Sequence, residues 1–365
     1  MKRDVFLNHA SIITGLGNLD LTWKSILDGK SGIIKKEHFN NSLLPQTGLS
    51  LYKREMDGPA QNLTMKLMSE CAAGLPELPG DTFVIWTGIK NDVEAVEALY
   101  NDGHEVSCKN AYEMRLALME MLGLDNGGME INAACASSTA GAGLAAQFIA
   151  DGKYDHVLVA GSDIVSRFVY FGFAALKAMN ENTCMPFDVN RSSLTLGDGA
   201  AALFLSAGRQ SDIRISGYGI TNDANHITGP SRDGSGLSAA LLETLDMAGI
   251  EPGDVGAFCA HGTGTRYNDS MELAAAAKVF GPGHMPPVFG VKGSTGHTLG
   301  AAGGIEIALC GKSLLDGIMP PTVGCLQPEI AEINLEKALL KGRNILTSNS
   351  GFGGINAAIL MENIS

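Results

Sequence analysis

Ile131-Asn132-Ala133-Ala134-Cys135-Ala136-Ser137-Ser138 carries a short apolar run into a small-residue stretch that ends near Ala150. The apolar run predicts a strand, Met129 to Ala134, and the Ala/Gly-rich stretch a helix, so Cys135 falls on a sharp strand-to-helix turn. Such a turn leaves its side chain exposed, and the unpaired N–H groups of the first helical turn favour a thiolate there. Nothing comparable surrounds the other six cysteines. Most free cysteines are small buried hydrophobes. On this residue alone, buried thiol and nucleophile both stand.

Outward from that turn, short β-rich runs alternate with longer Ala/Gly/Leu-rich stretches, which argues for an α/β fold with buried strands. Predicted strands are Asp4 to Thr14, Thr82 to Gly88, His156 to Ala160 and Ala200 to Ser206. A second series is Ile213 to Ile220, Val255 to Ala260, Pro287 to Val291, Asn344 to Ser348 and Ile355 to Met361. The series read as two copies of one plan. Glu130 to Cys135 leads into a small-residue helix, and Val288 to Lys292 leads into Gly300-Ala301-Ala302-Gly303-Gly304; Gly197-Asp198-Gly199 and Gly351-Phe352-Gly353-Gly354 each precede an apolar run. No Pro/Ser-rich linker intervenes, so halves 1–207 and 208–365 are expected to share one packed core. Pseudo-symmetry would turn the Cys135 elbow and the segment Lys292 to His297 toward each other, building one site from both halves.

With 365 residues, 45% hydrophobic and 18% charged, the chain can bury a large core. A net charge of −13 excludes general nucleic-acid binding. Lys53, Arg54 and Lys66 are the best local basic patch in sequence terms. Seven cysteines without CxxC pairs indicate neither a disulfide framework nor a zinc site, and a reducing, cytoplasmic setting fits. No secretory signal and no membrane-inserting run is read.

Cys259-Ala260-His261-Gly262-Thr263-Gly264-Thr265 puts a histidine after an apolar strand, followed by glycines that let a ligand approach the backbone. Val291-Lys292-Gly293-Ser294-Thr295-Gly296-His297 repeats the pattern with a lysine five residues earlier. Either histidine alone is more often structural than catalytic. With these segments, Asn132 to Ser137, Pro186-Phe187-Asp188, Gly197-Asp198-Gly199-Ala200 and Asn349-Ser350-Gly351-Phe352-Gly353-Gly354 form an ordered set. That set resembles the β-ketoacyl-acyl carrier protein synthases of the elongating, Cys-His-His type, over nearly the whole chain.

The resemblance implies the thiolase fold, a duplicated five-layered α/β/α/β/α arrangement, and a dimer. It implies decarboxylative Claisen condensation on thioesters carried by the phosphopantetheine arm of acyl carrier protein, in fatty acid, polyene or polyketide synthesis, with no metal and no permanently bound cofactor. Cys135 would be acylated; His261 and His297 would meet the enolate formed when malonate loses carbon dioxide. Lys292 and Glu306 match a supporting charged pair, Thr263 and Thr265 the pantetheine-binding hydroxyls, and Phe352 a gate. The backbone N–H groups of Cys135 and Phe352 match the oxyanion hole. Phe168, Phe171 and Phe173 are candidates for the acyl tunnel, with core packing the competing reading.

A thiolase would carry a second cysteine in the C-terminal glycine loop, the initiating synthases an asparagine in place of His297, and chain-length factors no nucleophile. Two departures are Gly197-Asp198-Gly199, where the family has Gly-Glu-Gly, and Arg191-Ser192-Ser193-Leu194, where it has Arg-Asp-Gly-Phe. The stretch between Lys90 and Gly128 is short for the family. A heterodimer with a chain-length-factor-like partner, as catalytic or tunnel-shaping subunit, therefore stands beside the homodimer. A coenzyme A-dependent thiolase-like acyltransferase is the third reading.

Overall fold

A computed structural model describes residues 3–38, 46–53, 62–102 and 108–365. β1 (Phe6–Thr14), β2 (Phe83–Trp86), β3 (Gly128–Glu130), β4 (His156–Asp163) and β5 (Gly199–Ser206) form one mixed sheet in the order β3-β2-β4-β5-β1. β6 (Ile213–Asn222), β7 (Ala257–Cys259), β8 (Val288–Phe289), β9 (Asn344–Gly351) and β10 (Ile355–Asn363) form the other, in the order β8-β7-β9-β10-β6. In each sheet the first two pairings are parallel and the last two antiparallel, so the second repeats the order and polarity of the first. They meet where Phe6 pairs with Arg214 and the Ile215 N–H donates to the Val5 carbonyl (2.8 Å).

Period-two alternation sorts the strand residues onto two faces. Val84 and Trp86 of β2 join Leu158, Ala160 and Phe204 under α1 (Leu63–Ala72) and α2 (Ala111–Leu122) on one outer side. Their neighbours Phe83 and Ile85 turn inward with Val157, Val159 and Leu203 onto α3 (Ser137–Ala150). On the opposite side α4 (Ser235–Ala248) and α5 (Arg266–Phe280) cover Phe258, Leu346, Ala358 and Leu360. The central layer is α3 with α6 (Ala302–Asp316), and both helices are buried nearly all round, as their small and apolar composition requires. The result is five layers, helices alternating with sheets.

β3 is shorter than the sequence reading. The Ile131 N–H still reaches the Trp86 carbonyl (2.9 Å), but the Asn132 side chain takes the Ala134 N–H (3.2 Å) and diverts the chain from the sheet. A small sheet of Ile34–Lys36, Thr47–Ser50 and Leu196–Gly197 is an addition that these short segments did not signal. Lys53 sits in a bend paired with Glu70 (3.3 Å), Lys66 lies on α1, which starts at Leu63, and Arg54 lies outside the described residues.

Candidate active site

Cys135 occupies a 3-10 turn, Ala134–Ala136, leading directly into α3. Ala134 adopts a left-handed backbone (φ 48°), a conformation that a non-glycine residue holds only when its surroundings enforce it. Ser137 does much of that, accepting the Ala133 N–H (2.9 Å) and donating to the Ala134 carbonyl (2.7 Å). The helix start was expected to favour a thiolate. Burial instead pushes the Cys135 thiol up to about 11, against the pull of the Lys292 charge. Desolvation of the charged form is the largest influence on it, so the resting group is the thiol.

The second half repeats this turn at Leu299–Ala301, ahead of α6, with Leu299 at φ 54° and Gly300 in the place of Cys135. The Ala136 N–H bonds the Ala133 carbonyl and the Ala301 N–H the Thr298 carbonyl, both at 3.1 Å. Each turn packs on the other half: the first on β9, the second on β4. β9 ends at Gly351, where a Cβ would stand 2.4 Å from the Ala133 oxygen. β4 ends at Asp163, whose carboxylate accepts the N–H groups of Gly300 (2.9 Å), Lys90 (2.7 Å) and Ile89 (3.2 Å). Burial pushes its pKa up to about 7, and the three backbone donors pull it back.

His261 and His297 face each other with ring centroids 5.1 Å apart and planes at 86°. The His261 Nδ1 receives hydrogen bonds from Lys292 Nζ (3.0 Å) and Asn349 Nδ2 (2.7 Å). The His297 Nδ1 receives the Leu299 N–H (3.2 Å). A ring nitrogen that accepts carries no proton, so both rings keep theirs on Nε2. Burial and the Lys292 charge hold both well below the ordinary histidine range, with each ring neutral at physiological pH.

Lys292 and Glu306 form a fully buried ion pair. Lys292 also donates to the His261 carbonyl (2.5 Å), and the second oxygen of Glu306 accepts from Asn349 Nδ2 (2.7 Å). The Thr139 hydroxyl on α3 donates to Asn349 Oδ1, which fixes the amide's orientation. Lys292, both oxygens of Glu306 and the whole Asn349 amide are thus engaged, the condition under which a buried pair is tolerated.

A cavity of about 950 Å³ is lined by Cys135, His261, Thr263, Thr265, His297 and Phe352. Residues 213–326 match the family model for the Beta-ketoacyl synthase, C-terminal domain, and residues 129–224 that for 3-Oxoacyl-[acyl-carrier-protein (ACP)] synthase III. A 3-oxoacyl-[acyl-carrier-protein] synthase 2 of Vibrio cholerae is 26% identical over 416 residues, covering 99% of each chain. Another, of Staphylococcus aureus, is 33% identical over 249 residues, 63% of this chain and 61% of that one. Over nearly its whole length the chain is thus similar to a 3-oxoacyl-[acyl-carrier-protein] synthase.

The solved ishigamide ketosynthase/chain length factor covers 100% of both chains at TM-score 0.88 and 24% identity. A β-ketoacyl synthase from Burkholderia phymatum does the same at 0.83 and 22%. The five layers are thus the thiolase fold. Within the cavity Thr263 and Thr265 share a hydrogen bond (2.9 Å), and Phe352 stands 5.8 Å from Phe173. Of the three tunnel candidates only Phe173 lines the cavity. Phe168 is exposed, and Phe171 packs beside Tyr170 (5.3 Å). Lys177, Arg232 and Arg266 line the cavity as well, whereas Lys53 and Lys66 do not.

The buried acids are what the sequence reading missed. Glu272 accepts the N–H groups of His261 (2.6 Å) and Gly262 (2.7 Å), and Asp269 those of Phe187 (2.8 Å) and Gly264 (3.2 Å). Arg191 lies 3.6 Å from Asp269 and reaches Glu329 at 2.5 Å. Asp198 accepts from Val165 (2.8 Å) and Tyr52 (3.1 Å) and so holds backbone at the glutamate's position in the family pattern. A signal for Glu272 and Asp269 lay in their spacing of three on the first turns of α5, which puts both on the face toward the His261 loop.

Proposed function

We propose that this chain catalyses decarboxylative Claisen condensation, joining an acyl thioester to malonyl-acyl carrier protein to give a 3-oxoacyl-acyl carrier protein. One observation carries the reading: a cysteine thiol and two neutral Nε2–H imidazoles line the same cavity. The Cys135 sulfur attacks the acyl thioester, its proton leaves with the pantetheine thiol, and the acyl group stays on Cys135. Malonyl thioester then releases carbon dioxide. The Nε2–H groups of His261 and His297 meet the developing enolate oxygen, and the enolate carbon attacks the acyl-Cys135 carbonyl. The N–H groups of Cys135 and Phe352 hold the tetrahedral oxyanion. When the carbon–sulfur bond breaks, the Cys135 thiolate takes up a proton.

Lys292 and Glu306 position His261, and the Lys292 charge together with burial keeps both imidazoles neutral. Thr263 and Thr265 hold the pantetheine arm, the one carrier the chemistry needs, and Phe352 gates the acyl pocket. Residues 1–207 supply the nucleophile and residues 208–365 both histidines. A solved type II polyketide ketosynthase bound to its acyl carrier protein supports the carrier as partner. Solved ketosynthase and chain length factor pairs support a dimer with a second copy or with such a subunit. Among the described residues no helix is long and apolar enough to cross a membrane, and all seven cysteines are free, as a cytoplasmic setting would leave them.

The test supplies acyl-carrier protein and malonyl-carrier protein to the purified chain and measures carbon dioxide and 3-oxoacyl product. Product formation that is absent with Cys135→Ala supports the reading. Turnover of acyl-coenzyme A without a carrier protein, or no product even with a partner subunit, overturns it.

A further inference from the structure

Asp163 belongs to none of the parts assigned above, yet it fills the counterpart of the site around Cys135. The last residue of β4 is Asp163 and the last residue of β9 is Gly351, the equivalent strand ends of the two halves. Asp163 pairs with the first residue of β5, Gly199, just as Gly351 pairs with the first residue of β10, Ile355. Each strand end abuts the other half's turn. Where β9 offers a glycine, no side chain stands between the strand end and the turn at Cys135, and the backbones pack so closely that a Cβ would lie 2.4 Å from the Ala133 oxygen. Where β4 offers an aspartate, its carboxylate occupies the space before Gly300 and takes that residue's N–H, the counterpart of the Cys135 N–H.

We infer that Asp163 is a positioning residue for His297, a built-in anion that holds the turn from His297 to Gly300 so that the imidazole presents Nε2–H to the substrate. The path is short. Asp163 Oδ2 fixes Gly300 N–H, and the adjoining Leu299 N–H fixes His297 Nδ1. The same carboxylate ties this turn to the loop after β2 through Ile89 and Lys90. Both oxygens accept backbone N–H groups: Oδ1 those of Ile89 and Lys90, Oδ2 those of Gly300 and Ile89. An amide cannot replace this group, because its NH₂ would face a donor. The strained Leu299 backbone is thus held from the far half of the molecule.

The inference rests on the condensing reading, and the test separates the two. In Asp163→Asn, acylation of Cys135 from acyl-carrier protein should stay within about threefold. Carbon dioxide release from malonyl-carrier protein should fall about 100-fold, the scale expected for a misplaced group. Asp163→Ala should show the same split, with formate added at millimolar levels restoring release by refilling the carboxylate site. Release unchanged in Asp163→Asn overturns the inference, as do an equal fall in both steps or a formate-insensitive Asp163→Ala. If the unaltered protein neither acylates nor releases carbon dioxide, it is the condensing reading that fails.

Discussion

The turns at Ala134–Ala136 and Leu299–Ala301 share a left-handed first residue, a closing hydrogen bond and a following buried helix, yet one carries a cavity-lining thiol and the other receives the Asp163 carboxylate. The difference lies in what the opposite half places against each. Gly351 brings no side chain to the turn at Cys135 and packs its backbone directly against it, whereas Asp163 sets a carboxylate against Gly300. In the proposed reading a duplicated fold thereby builds a single site, with the nucleophile's turn from one half and the other's matching turn as the support for a histidine.

Erasing that asymmetry should have the largest effect. Gly351→Asp places a carboxylate against the turn at Cys135, where a Cβ already lies 2.4 Å from the Ala133 oxygen. Acyl loading should drop below detection while the variant stays folded. Loading at the native rate would mean that the missing side chain at Gly351 is not what leaves Cys135 able to react. Next comes Lys292→Met, which leaves Glu306 buried without its partner. Denaturant unfolding should show a loss of roughly 3–5 kcal/mol, and a loss below 1 kcal/mol would mean the pair contributes little.

His297→Ala tests the other turn. Carbon dioxide release should fall about 10²–10³-fold, as when one oxyanion donor is removed, while Cys135 acylation persists. Retained release would move that role elsewhere. The smallest effect concerns pH. Both histidines are held neutral in the folded state, below their unfolded value of about 6.5. The unfolded chain therefore gains protons first as pH falls, and stability declines below about pH 6.5. Above it, decarboxylation should show no inflection from imidazole. Alkylation of Cys135 by iodoacetamide should instead rise about tenfold per pH unit from 7 to 9, as a thiol pushed up to about 11 requires. A plateau near pH 7 would restore the helix end as the dominant influence.

The ten main strands were legible because buried β-branched runs alternate with small-residue helices, and their ends deviate by a few residues where side chains such as Asn132 intervene. Cys135, His261 and His297 were legible because each sits in a local segment with its glycines. The roles of Asp163 and Asn349 were not, because they come from partners far along the chain, such as Gly300, 137 residues from Asp163, and His261, 88 residues from Asn349. The run Arg167–Ala175 shows the same limit. Its helical period sends Val169, Tyr170 and Phe173 inward and leaves Phe168 exposed, so an aromatic count alone could not choose the cavity residue.

The most direct test of the central claim, that the turn at Cys135 and not its twin carries the acyl group, is intact mass of the protein after incubation with acyl-carrier protein. A single acyl increment that maps to the peptide containing Cys135, and is absent in Cys135→Ala, is the predicted result. An increment that survives Cys135→Ala, or maps to Cys184, Cys259 or Cys310, would contradict it.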